Sequence, residues 1–450
     1  METRAKTSSV GAFLTELFSE FERQGVEYAV ARDYGPLPAS LADRDLDVLI
    51  GKGQLENAYQ VVKSVAHMLS ATVLRIDQES VLWLLVVHLD RPWVLRVDLA
   101  LPDSHTWRGV SFLKLDRALQ NKVQEGGIFR LRARDIVCMQ LSRDIMGSFK
   151  LRRKYRSAVQ SIYQENPYRF KAELNAMFGR RCGSALAEVC REGTFEHLKH
   201  LGKQMRRAVI VKGLMRKPLK TTSDILRYVG WRCGEYVRPN GVTVALIGPD
   251  GSGKGTLIEA VRRFADAKFH FPTRVYHCRP GLLPSLGSLL LGRKDDEISV
   301  SDPHDRAPSG MVASCFRLAY YTLDYLLGYW LIVRPHLGRK CILTIFDRYF
   351  YDYFIDPVRF RISLPQFAVK MFGMMVPNPD VVIFLSADPE LIYKRKQELT
   401  LSEIQRQLSE MSTFSKYVEN YARIDSSGRI EDTARDMIQV IVAALAKRLH

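Results

Sequence analysis

The chain has 450 residues, more than one ordinary hydrophobic core serves, so its length predicts two or three domains. With 46% hydrophobic and 26% charged residues it reads as a soluble globular protein rather than a membrane-spanning one. Its formal charge of +17 is concentrated: residues 1–100 carry −4, residues 101–250 carry +16 and residues 251–450 carry +5. Such a field favours anionic partners, whether nucleic acid, anionic lipid head groups or a phosphorylated or acidic polymer, and composition alone does not choose among them.

The opening METRAKTSSV is polar and predicts no signal peptide. Val10, Phe13, Leu14, Leu17, Phe18 and Phe21 recur at helical spacing, and YAVAR, LDVLI, VLWLLVVHL and WVLRVDLAL follow as strands. Within residues 1–112, Asp45 and Asp47 alternate along one strand and so share a face. Asp98 sits on a later strand. Three carboxylates on adjacent strands can hold one or two magnesium ions and handle a nucleoside triphosphate. They serve equally as polar residues at strand ends of an inherited fold, or in a degenerate domain that binds acceptor without catalysis.

Residues 113–238 are basic and mostly helical. KHLGKQMRRAVIVKGLMRKPLK (199–220) interleaves cations with Met205, Val209, Val211, Leu214 and Met215. As a helix it suits an anionic membrane surface, and it equally suits packing its apolar side on a neighbouring domain. No zinc-finger, RNA-binding aromatic or helix-turn-helix pattern stands out, so nucleic acid is the weaker partner reading.

RPNG (238–241) reads as the loop before the last domain, residues 239–450. There VTVALI, RVYHC, CILTIF and DVVIFLSA alternate with helix-length blocks, which predicts a mostly parallel sheet with helices on both faces. AYYTLDYLLGYWLIV (319–333) is too short to span a bilayer, carries Asp324 and predicts a buried helix. Seven cysteines without a CxxC pair point to reduced thiols and a cytoplasmic protein.

GPDGSGKGT (248–256) lies between a strand and a helix. Gly248, Gly251 and Gly253 let backbone N–H groups turn toward an anion, Ser252 and Gly255 complete the turn, and Lys254 adds a point charge. The hydroxyl of Thr256 can reach a magnesium ion. This is the pattern of a phosphate-binding loop. An apolar strand ending in Asp347-Arg348-Tyr349 supplies a carboxylate for metal or its waters and a guanidinium for phosphoryl oxygens.

The loop's GKGT, its Asp250 and the DRY segment resemble thymidylate kinases over residues 240–450. The resemblance implies a P-loop NTPase, nucleoside monophosphate kinase-like fold using ATP and magnesium. Lys254, Asp347, Arg348 and Asp250 would be the catalytic residues, and residues 248–256 with Arg395 from KRK would form the nucleotide site. HCRPGLLP keeps Arg279 but lacks the family's acid, and FYDYFID replaces its usual pattern after DRY. Both departures lie on the acceptor side and point away from thymidylate.

The chain also resembles thymidylate kinase-like proteins among bacterial polysaccharide biosynthesis genes, through SDPHDRAPSG, the tyrosine-rich helix, DRYFYDYFIDP and RKQELTLSEIQRQ. That implies a glycan or lipid-linked sugar acceptor, with Asp302, His304, Arg306, Arg279, Asp352, Asp356 and Arg359 on its side and Asp250 or Asp352 as base. The DxD of the first domain resembles nucleotidyltransferases, although Gly35-Pro36 replaces their Gly-Ser pair. Three other activities stay open: a nucleoside monophosphate kinase, a nucleotidyltransferase working through Asp45 and Asp47, and an ATP-binding regulatory protein.

Overall fold

The computed structural model describes residues 9–32, 37–41, 45–88, 93–269, 273–284, 286, 309–339 and 343–449. Gly35, Pro36, Asp302, His304 and Arg306 lie outside them. The chain divides into two compact units, Met1–Cys233 and Gly234–His450. It is a mixed α/β protein.

In the first unit, α1 (Val10–Arg23) is capped by Ser9, whose hydroxyl accepts from the Ala12 N–H at 3.2 Å. It buries Phe13, Leu14, Leu17, Phe18 and Phe21 on one face. Then come β1 (Tyr28–Val30), β2 (Asp45–Ile50), α2 (Leu55–Met68), β3 (Thr72–Asp77), β4 (Val81–His88) and β5 (Trp93–Ala100). A hairpin of β6 (His105–Trp107) and β7 (Val110–Leu113) precedes β8 (Val123–Glu125) and β9 (Ile128–Arg130). The main sheet has the order β3-β4-β5-β2-β1-β9-β8, with β2 parallel to β5 and β1 antiparallel to β2.

Helices α3 (Ala133–Ser148), α4 (Arg153–Glu165), α5 (Pro167–Glu192) and α6 (Leu198–Arg216) follow. Their core of Leu141, Ile145, Phe170, Leu174, Phe178 and Leu186 takes in Trp107 and Phe112 of the hairpin, and Met139 packs with Ala29 and Leu49 of the sheet. The basic helices therefore belong to the same unit as the sheet. Met205 and Val209 of α6 are buried in that core, while Val211, Leu214 and Met215 are exposed. Helix α7 (Pro218–Val237) begins at the proline that follows α6 inside the basic run.

The second unit is built on a five-stranded sheet whose pairings are all parallel: β10 (Val242–Ile247), β11 (Thr273–His277), β12 (Leu343–Asp347), β13 (Val381–Ser386) and β14 (Tyr421–Asp425), in the order β11-β12-β10-β13-β14. β10 is buried on both faces, as a continuous apolar run requires at the centre of a parallel sheet. Ala245 and Ile247 pack on Leu318 and Tyr325 of α9 (Met311–Gly328), numbered after α8 (Lys254–Phe264). On the sheet α8 pairs with the C-terminal helix α12 (Ile430–Leu449), which follows α10 (Pro389–Arg395) and α11 (Leu401–Phe414).

The tyrosine-rich stretch buries one side only. Leu318, Thr322, Asp324 and Tyr325 are covered, whereas Phe316, Leu323 and Leu331 are exposed. No helix among the described residues is long and apolar enough to cross a membrane.

Candidate functional site

The sheet order of the second unit reverses beside β10, and the register aligns Leu246 of β10 with Asp347 at the end of β12. Loops leaving the carboxyl ends of these strands therefore meet at one crevice, where open parallel sheets place their sites. The turn 248–253 leaves β10 there and feeds the first turn of α8, which starts at Lys254.

Gly251 and Gly253 both have φ of +89°, a conformation that favours glycine. A Cβ on Gly251 would also stand 2.8 Å from the Ile392 carbonyl oxygen. Gly251→Ala is expected to cost roughly 2 kcal/mol through strain and this clash. Denaturant unfolding of the variant checks it, and an unchanged midpoint would refute the constraint. A clip from the last strand holds the turn: the Ser426 hydroxyl donates to the Ser252 carbonyl at 2.8 Å, and Ser426 N–H to the Ser386 carbonyl at 2.8 Å.

Lys254 is buried, and its Nζ donates to the carbonyls of Gly248 at 2.6 Å and Pro249 at 2.8 Å. Burial, with Arg348 adding repulsion, brings its ammonium down to about 8. Arg348 has φ of +75°, held by its N–H to the Leu246 carbonyl at 3.0 Å. Its guanidinium bonds Asp250 and, at 3.2 Å, Asp352. Arg359 bonds the other oxygen of Asp250. Burial alone would raise the Asp250 carboxyl, but Arg348, Lys254 and Arg359 outweigh it and hold it well below the usual carboxylate range. Asp250 is thereby committed to aiming two guanidiniums.

Asp347 ends β12 with its Oδ2 3.2 Å from His277 Nδ1, while its buried Oδ1 has no hydrogen-bond partner among the described residues. Burial works against its charge, yet His277 and Lys254 keep its carboxyl below the ordinary value. A buried carboxylate oxygen left open beside an exposed threonine at a helix start is the chemistry a hard divalent cation takes.

These groups line one cavity of about 520 Å³, comprising Asp250, Gly251, Gly253, Lys254, Gly255, Thr256, His277, Asp347, Arg348, Arg359, Arg395 and Lys396. Arg395 comes from the end of α10, where its guanidinium donates to the Ser426 carbonyl at 3.0 Å.

Neither protein-family models nor curated proteins gave a match to this chain.

Three residues expected on the acceptor side stand elsewhere: Asp352, Arg279 and Asp356, the last buried, outside the cavity lining and accepting the Arg359 N–H at 3.3 Å. Asp352 is buried behind Arg348, accepting the Tyr349 N–H at 2.9 Å, and burial raises its carboxyl. Arg279 pairs with the buried Asp324 at 2.8 Å and lies 4.6 Å from the Tyr321 ring centroid. Asp324 also accepts from Leu283 N–H at 2.7 Å, which explains a carboxylate inside so apolar a helix. Neither Asp352 nor Arg279 lines the cavity. His277 and Ser426, which sequence reading did not single out, bind Asp347 and the turn. His277 was detectable, because it ends the strand beside Asp347 in register; Ser426 follows a strand without an apolar signature.

In the first unit, β2 and β5 pair Asp47 with Asp98 in register, and one ligand atom from each of Asp45, Asp47 and Asp98 lies within 4.8 Å of the others. Arginines already answer this charge. Arg96 reaches Asp45 at 2.9 Å and Asp98 at 2.8 Å, Arg32 reaches Asp47 at 2.5 Å and Asp45 at 3.3 Å, and Arg143 lies 3.5 Å from Asp47. Three guanidiniums thus share these carboxylates, whose ligand atoms stay close enough together to hold one metal ion.

Proposed function

We propose that the second unit is an ATP- and magnesium-dependent phosphotransferase, a thymidylate kinase-like P-loop kinase acting on a sugar, glycan or lipid-linked hydroxyl. One observation carries the reading. The glycine-rich turn, buried Lys254, the open oxygen of Asp347 and the cations Arg348, Arg359 and Arg395 converge on a single cavity past the ends of parallel strands.

The N–H groups of 251–256 and the positive end of α8 would hold the phosphate chain. Lys254 would exchange its carbonyl partners for phosphate oxygens and regain full charge there. Arg348 and Arg359, fixed by Asp250, would grip the transferring group, and Arg395 would cover the donor. Thr256 and Asp347 would hold magnesium, which neutralises charge on the phosphoryl oxygens when bound. Catalysis is then positioning and charge stabilisation. With Asp250 committed to arginines and Asp347 to the metal, no carboxylate of the cavity would be left to act as a strong base, which suits a loose phosphoryl-transfer step.

The test is transfer from labelled ATP with magnesium to a panel of sugars, glycans and dTMP. Transfer to hydroxyl acceptors is expected; dTMP outpacing every sugar would give the site to a nucleoside monophosphate kinase. Failure to bind any adenine nucleotide by calorimetry would sink the kinase reading altogether. For Asp347→Asn the magnesium concentration needed for half-maximal turnover should rise about tenfold. A magnesium titration identical to the unmodified protein would remove Asp347 from the metal's shell.

A further inference from the structure

A second cavity, about 700 Å³, lies within the first unit and shares no lining residue with the carboxylate trio or its arginines. It has the size of a small-molecule site. Nine lysines and arginines line it against three acids. Two of the acids are taken: Glu173 lies 3.3 Å from both Arg134 and Arg169, and Asp224 pairs with Arg227. Lys114, Arg117 and Arg132, from the segment after the hairpin, have no carboxylate at ion-pair distance among the described residues. The same holds for Arg216, Lys217 and Lys220 at the α6–α7 junction.

Two partly buried groups stand within this cationic surplus. Arg134 Nε is buried without a hydrogen-bond partner among the described residues. Lys212, which donates to the Ala176 and Met177 carbonyls, has its ammonium lowered by burial and by Arg216. Apolar side chains, among them Phe112, Met177 and Val209, make up much of the remaining wall beside Ser111, Asn121 and Thr221. The basic run 199–220 thus sends four of its cations, Lys212, Arg216, Lys217 and Lys220, to a concave site.

We propose that this cavity binds a multiply charged phosphate ester or pyrophosphate whose apolar portion lies against Phe112, Met177 and Val209. Arginine forks grip phosphate oxygens in pairs, and so large a cationic surplus in one cavity calls for more than a single negative charge. Organic phosphate presents both the charge and a body that the apolar wall can cover. The proposal stands independently of the nucleotide reading of the second unit.

The experiment uses the full chain carrying Lys254→Ala, so that binding at the glycine-rich turn does not contribute. Inorganic phosphate, inorganic pyrophosphate and dodecyl phosphate below its micelle concentration are titrated by calorimetry. Vesicles of phosphatidylcholine and phosphatidic acid form a separate arm. Pyrophosphate is expected to bind one per chain, weakened at least about tenfold by Arg216→Ala/Lys217→Ala/Lys220→Ala. Arg132→Ala, on a separate element, should weaken it about threefold. Lys203→Ala/Arg207→Ala, on the same helix but outside the cavity, should change it less than about twofold. Dodecyl phosphate should bind about tenfold or more tightly than inorganic phosphate. Absence of binding, equal loss in the outside-cavity control, or no gain from the alkyl chain would overturn the proposal. Binding to vesicles but not to free dodecyl phosphate would overturn it too, assigning these cations to a membrane surface.

Discussion

Lys254→Ala is expected to lower ATP turnover by about a thousandfold or more while leaving the second unit folded. The side chain is buried, and its ammonium rests on two backbone carbonyls of its own turn. Removing it deletes the buried lysine charge of the cavity, which a triphosphate would draw from the fold, and frees carbonyls that water can reach through the open site. Its effect on stability should be small or favourable, because burial already disfavours the charged form. Steady-state turnover beside a thermal melt checks both halves. Turnover within about tenfold of the unmodified protein would remove Lys254 from the transferring group's neighbourhood.

The second large effect concerns the carboxylates of the first unit. Arg96→Met, close in size but neutral, should destabilise that unit by about 3 kcal/mol, because it strips Asp45 and the buried Asp98 of their shared, partly buried partner. Burial pushes the Asp98 carboxyl up to about 7, against the pull of Arg96. An acid whose folded value exceeds its unfolded one keeps its proton longer when folded. Its contribution to stability therefore declines as pH rises from about 4 to about 7. The loss in Arg96→Met should accordingly be larger at pH 8 than at pH 5. Adding Asp98→Asn should restore much of the stability and flatten the pH dependence. Melts of the single and double variants at both pH values decide it; a pH-independent loss would mean that Arg96 acts by packing on Trp83, 5.0 Å away.

Legibility followed signal strength. Central strands β10, β12 and β13 are buried on both faces and so read as unbroken apolar runs. The edge strand β14 exposes Tyr421, Arg423 and Asp425, alternates weakly and escaped notice. β3 escaped for the same reason, with Thr72 and Asp77 exposed. At the site, groups on the turn and at strand ends were readable because loop chemistry is local. Partnerships were not. Asp250 with Arg359 and Asp47 with Arg143 join residues roughly a hundred positions apart, and only the packed sheet brings them together. Arg279 and Asp352 looked alike as polar residues near the motif, yet one braces a loop on α9 and the other braces Arg348. The cationic cavity was visible only as a regional surplus, since its lining is scattered from Lys114 to Lys220.

The hydrogen bond from Ser426 to the carbonyl of Ser252 spans 174 positions. It makes the shape of the first loop of the unit a property of nearly its whole length. A fragment ending before residue 426 would retain every residue of the glycine-rich motif and still leave it unbraced. The shortest piece able to present that motif in working form therefore extends at least past the fifth strand.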